Sequence, residues 1–109
     1  MPDVTARHYQ GQPGTAVAVL ATVPAATQFN VQQIHVANTT AAVAVFTLHT
    51  VASAGTPGVT NIIASSVSVP PNGITQITGL FVLAAGETIQ GLQTTAGALT
   101  VTITGVTTT

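Results

Sequence analysis

The chain has 109 residues, 46% of them hydrophobic and 3% charged, with one Arg, no Lys, two acids and no Cys. Soluble proteins ordinarily carry charge on roughly a quarter of their residues; this composition excludes the clustered cations that grip nucleic acid and any disulfide framework. Apolar runs as short as AAVAVF (41–46) and LFVLAA (80–85) exclude a membrane-spanning helix, which needs about 20 consecutive apolar residues, and one Tyr with no Trp leaves no aromatic girdles for a membrane barrel.

The length suits one domain able to bury a core without staples. Val, Ile, Thr and Ala dominate, and β-branched side chains fit a pleated, half-buried surface better than a helix. The class is all-β.

Residues 1–15, MPDVTARHYQGQPGT, begin polar, without the apolar core of a signal peptide. They hold Asp3, Arg7, His8, Tyr9 and Gln10 ahead of the breakers Gly11, Pro13 and Gly14. This segment reads as an extended N-terminal arm, with a β-sandwich domain over 16–109. Three fates are open to it: adding a strand to a neighbour's sheet edge, forming the first strand of its own sheet, or a disordered tail. In the first, Asp3, Arg7, His8, Tyr9 and Gln10 are partner contacts, with Arg7 and Tyr9 supplying specificity.

AVAVLATV (16–23) is a strand closed by Pro24. FNVQQIHVAN (29–38) puts Phe29 and Val31 on one face but Ile34 and Val36 on the other phase. One extra residue flips a strand's alternation, so a β-bulge is predicted near Gln32 and Gln33. In AAVAVFTLHT (41–50), Ala44, Phe46 and Leu48 share a face, and a hairpin with the preceding strand is the economical expectation. The segment 51–61, with Gly55, Pro57 and Gly58, is a rim loop, and Thr56 and Pro57 join the expected partner contacts.

IIASSVSV (62–69) is a strand stopped by PPNG (70–73), because proline cannot continue a central ladder. ITQIT (74–78) and LFVLA (80–84) run on across Gly79 to a turn at AAGE (84–87). TIQGLQ (88–93), the turn TTAG (94–97) and ALTVTITGV (98–106) are expected to form a final hairpin. Its last strand points Leu99, Val101 and Ile103 to the core and Thr100, Thr102 and Thr104 outward. About seven or eight strands with regularly spaced turns give a single antiparallel β-sandwich, jelly-roll or immunoglobulin-like.

Residues able to do chemistry are few. Were His35 opposite Thr47 in a hairpin, His49 would lie diagonally about 7 to 8 Å away. Zinc needs three or four ligands, so His8 or Glu87 would have to converge from distant segments, and the histidines are read instead as surface or subunit contacts. Asp3 and Glu87 do not form a tuned pair for acid-base work, and no G-x-S-x-G elbow occurs. Gly86, Gly91 and Gly97 belong to turns and strands, not to a phosphate loop. No enzyme, cofactor or metal is expected.

The phrases Val23-Pro24-Ala25, Ile34-His35-Val36-Ala37-Asn38, Phe46-Thr47-Leu48-His49, Leu83-Ala84-Ala85-Gly86-Glu87-Thr88-Ile89 and Thr100-Val101-Thr102-Ile103-Thr104-Gly105 span most of the chain. With them it resembles the small β-sandwich virion proteins of tailed bacteriophages. The resemblance implies a capsid decoration or cement protein, made in the host cytoplasm and carried on the virion. Such a protein binds the major capsid protein or other virion proteins and forms a homo-oligomer, a trimer being common for shell cement. A tail, baseplate or fibre-tip component is the alternative within the virion. A carbohydrate-binding module is the rival from another class, weakened by a 4% aromatic share that leaves little to stack on sugar rings.

Overall fold

In a computed structural model describing residues 3–108, the alternating runs become eight strands: β1 (Asp3–Gly11), β2 (Ala18–Thr22), β3 (Gln28–Asn38), β4 (Ala44–Val51), β5 (Ile62–Val69), β6 (Ile74–Leu83), β7 (Thr88–Gln93) and β8 (Leu99–Thr108). Positions 1, 2 and 109 of the two expected segments lie outside the described residues. The strands form two four-stranded sheets, ordered β1-β8-β3-β6 and β2-β7-β4-β5, with every ladder antiparallel. The chain changes sheet at every connection except β4 to β5. This is the jelly-roll order, two Greek keys folded face to face, and it decides between the two sandwich types.

Two expected hairpins are corrected by that order. β3 and β4 lie in opposite sheets, and so do β7 and β8. His35 therefore sits opposite Thr102 and Gln76, not Thr47, while His49 lies in the other sheet opposite Gln90 and Ile62. An apolar face looks inward whether its strand pairs sideways with its chain neighbour or faces it across the core, so alternation alone does not distinguish the two.

The core follows the faces read from the sequence. Phe29, Val31, Ile34, Val36, Ala44, Phe46, Leu48, Leu99, Val101 and Ile103 are all buried between the sheets. The phase change in β3 is a bulge: Val31 pairs with Gly105 and Gln33 with Thr104, leaving Gln32 unpaired. β1 carries a matching bulge on the other side of β8, where Arg7 pairs with Thr104, Tyr9 with Ile103, and His8 is extra. Ala6, Gly105 and Val31 thus form one inward row beside both bulges. A Cβ on Gly105 would press into the Asn30 carbonyl oxygen and come within 2.8 Å of the Val31 Cα.

At one end the inter-sheet connections are tied by buried amides. Asn38 donates through Nδ2 to the carbonyls of Ala42 (2.8 Å) and Val69 (3.1 Å) and accepts at Oδ1 from the Thr40 N–H (2.9 Å). Gln93, fully buried, donates to the carbonyls of Pro13 and Leu99 and accepts from the Leu99 N–H at 2.8 Å. At the other end, Glu87 closes the 84–87 turn by accepting from the Ala84 N–H, with Gly86 at φ 85°.

Candidate interaction surface

The N-terminal segment takes the second of its three fates: residues 3–11 are an edge strand of their own sheet, paired with β8 on one side only. Among the described residues no strand pairs with the other side of β1, which presents a row of backbone donors and acceptors available for pairing. Asp3, Thr5 and Arg7 are exposed and share the outward face, since they pair with Thr108, Val106 and Thr104. Val4, of inward parity, is still 54% exposed.

The bulge at His8 turns its ring toward the sandwich, stacked on Phe29 at a centroid separation of 4.0 Å and 4° between planes. His8 Nε2 lies 3.2 Å from the Thr107 hydroxyl, and its Nδ1 is buried without a hydrogen-bond partner. Burial disfavours the charged imidazolium and holds its pKa below the ordinary 6.5. The unfolded chain therefore takes up this proton more readily than the folded one. Stability is complete above pH 6.5 and declines as pH falls below 6.5 toward the folded-state value. The midpoint of thermal unfolding is expected to drop between pH 7 and pH 5, and His8→Phe, which keeps the stack on Phe29, should flatten that slope. An unchanged slope in the variant refutes this role for His8.

Beside β1, the outward face of its sheet is uncharged: its middle rows are polar, and the rows on either side add Val106 with exposed Val82, and Ala37 with exposed Ile74. One row reads Gln10, Thr102, His35, Gln76 across the four strands, and the next Arg7, Thr104, Gln33, Thr78. Gln10 Nε2 donates to the Thr102 hydroxyl at 3.4 Å, and Gln76 Nε2 lies 3.2 Å from His35 Nδ1. Apart from Arg7 at the edge, covering these rows desolvates no ion. In this sheet the inward counterpart of Gln10 is Tyr9, packed against the core, where burial raises its phenol above the ordinary 10.0.

Thr56 and Pro57 lie in the β4–β5 connection of the second sheet. β1 lies against β2, at the opposite edge of that sheet from β5, so the structure does not gather the seven expected contacts into one patch. The loop is organised by Asn61, which the sequence reading passed over. Its Nδ2 donates to the Thr56 carbonyl (2.9 Å), while Oδ1 accepts from the Gly58 N–H (2.9 Å) and His49 Nδ1 (3.0 Å). Accepting from both, the amide oxygen requires the proton on His49 Nδ1 and pins the loop to β4. An Asn four residues after Pro57 and three after a Gly is a turn signal that marked this residue. Val59, 89% exposed, projects from the same loop.

His8, His35 and His49 occupy three separate environments, and no group of three or more metal-ligating side chains gathers among the described residues. A shallow depression of about 370 Å³ is lined by Ala26, Thr27, Gln28, Ala84, Ala85 and Thr108, none of which is ionisable or aromatic.

No family model matches the chain, and no curated protein does. Over 98% of its length the chain is similar to part of a chain in the structure of infectious bursal disease virus Gx strain, with a TM-score of 0.52 and 14% identity. A chain in the structure of the Gt strain is matched over 97% of this protein at a TM-score of 0.44 and 10% identity. The protein spans 32% of the first of those chains and 28% of the second. At such identity the likeness is one of fold: the chain is an all-β sandwich, as its own strand order shows.

Proposed function

We propose that the chain is a non-enzymatic structural protein of a virion, a jelly roll that works by covering and bridging other protein surfaces. The single observation that carries this reading is the outward face of the first sheet, where Thr and Gln rows lie beside exposed Val82 and Ile74 and ions are absent except at the β1 edge among the described residues. Charged surfaces lose hydration when buried, at a cost of several kcal/mol per poorly paired ion. Neutral hydroxyls and amides avoid that cost, and exposed Val82 and Ile74 on the same face gain from being covered. A chain with 3% charged residues suits repeated contact with neighbours better than life as an isolated monomer. Jelly rolls serve viral capsids as well as lectins and cupins, and the likeness to a chain in a virus structure supports the first of these uses.

The sugar-binding alternative loses support from the placement of the aromatic rings. Phe29 and Phe46 are buried, and Tyr9 and Phe81 pack against the core, which leaves no exposed ring to stack on a sugar.

In the specific form of this reading the protein decorates the head of a tailed phage and binds its major capsid protein. Several copies acting together gain avidity from modest individual contacts. Purified particles provide the test: quantitative mass spectrometry and imaging should find the protein in hundreds of copies over the head. A few copies at the tail would move it to a tail or baseplate role, and absence from particles would end the virion reading. Removing residues 1–12 does not isolate partner binding, because it strips β8 of its β1 partner.

A further inference from the structure

We infer that the open edge of β1 pairs with the β1 edge of a second copy of this chain, antiparallel about a two-fold axis at Thr5. This pairing goes beyond the virion reading and does not depend on where in a particle the protein sits. Three observations converge on it.

The first is the edge itself: among the described residues β8 is the strand hydrogen-bonded to β1, and the other backbone groups of β1 face away from it. The second is charge placement. Asp3 and Arg7 are one of the chain's two acids and its only Arg, with no Lys anywhere, and both are exposed on the same face of β1. Four residues apart on a strand, they are about 13 Å from each other and cannot pair within it. In an antiparallel pair centred on Thr5, Asp3 lies opposite the partner's Arg7 and Arg7 opposite the partner's Asp3, giving two cross-strand ion pairs. Opposite charges equidistant from a centre are the self-complementary pattern of an isologous contact.

The third observation is the bulge. It interrupts the regular ladder at His8, immediately after Arg7, so Asp3, Thr5 and Arg7 all lie on the regular side of it and keep one register. Val4, 54% exposed, then meets the partner's Ala6 on the inward side. Charges on an edge strand usually discourage edge-to-edge association. Here they discourage registers that set like charges opposite and leave this one favourable.

Charge exchange gives the test, on the full chain by sedimentation velocity at low ionic strength. The native protein is expected to dimerise, and added salt to weaken the dimer. Asp3→Arg and Arg7→Asp, each alone, place like charges opposite one another and should weaken association about tenfold or more. Mixing the two single variants should restore association as a mixed dimer, and the double exchange should restore it within one chain. Both positions are exposed, so circular dichroism and thermal unfolding should show the variants folded. A native chain that stays monomeric, or an assembly of any size indifferent to these exchanges, overturns the pairing. Charge-sensitive dimers of a protein absent from particles would leave it standing while removing the virion role.

Discussion

Gly105→Ala is expected to destabilise the protein by about 3 kcal/mol or more, although it adds a single methyl group. Gly105 sits in β8 opposite Val31 on one side and Ala6 on the other, beside the bulges at Gln32 and His8. A Cβ there meets the Asn30 carbonyl oxygen and the Val31 Cα, both backbone, which no side-chain rotation relieves. Relief requires β3 to move away from β8, and these are the two inner strands of the first sheet. Two other glycines calibrate the effect. Gly97, at φ 73° with open space around it, should lose about 1 kcal/mol as alanine, from backbone strain alone. Gly14, with no heavy atom near its would-be Cβ, should lose almost nothing. Urea unfolding of the three variants checks the ranking; a Gly105→Ala protein as stable as Gly14→Ala would show that the sheet is not closed as described.

That bulge pair separates what the sequence disclosed from what it hid. In β3 the slip was legible because four large apolar residues, Phe29, Val31, Ile34 and Val36, record the phase on either side of Gln32. In β1 the same irregularity was invisible. DVTARHYQG has no alternation to interrupt, because an edge strand half out of the core carries no strict apolar code. His8 inside the edge and its stack on Phe29 were hidden for the same reason. From β2 onward the strand positions were legible, since Gly, Pro or Asn chemistry bounds each, whereas β1 was one of three readings of the arm. Strand partners were not. The connections 39–43 and 94–98 are longer than the two-residue turns that fix a hairpin, and a loop of that length also crosses between sheets. Of the expected contact residues, Asp3, Arg7 and Gln10 lie on the outward face of β1, His8 and Tyr9 turn toward the core, and Thr56 and Pro57 belong to a loop of the other sheet. Neighbourhood on a jelly roll depends on strand order, which composition and periodicity do not encode.

Gln93→Leu should cost about 2 to 4 kcal/mol, the expected toll of leaving buried backbone groups without partners. Gln93 ends β7 in one sheet, and Leu99 begins β8 in the other; between them the chain crosses the end of the sandwich. The Gln93 amide stands in for the ladder there, accepting from the Leu99 N–H and donating to the Pro13 and Leu99 carbonyls, with no exposure to water that could replace it. A leucine supplies neither donor nor acceptor. The loss reaches beyond the turn, because β8 holds β1 on one side and β3 on the other. Loosening its first residue loosens the strand that carries Asp3 and Arg7. Amide exchange should therefore accelerate along β1 and residues 94–98 in Gln93→Leu while the β4–β5 ladder keeps its protection. If the variant matches the native chain in both stability and exchange, the clamp at Gln93 is not what joins the two sheets at this end.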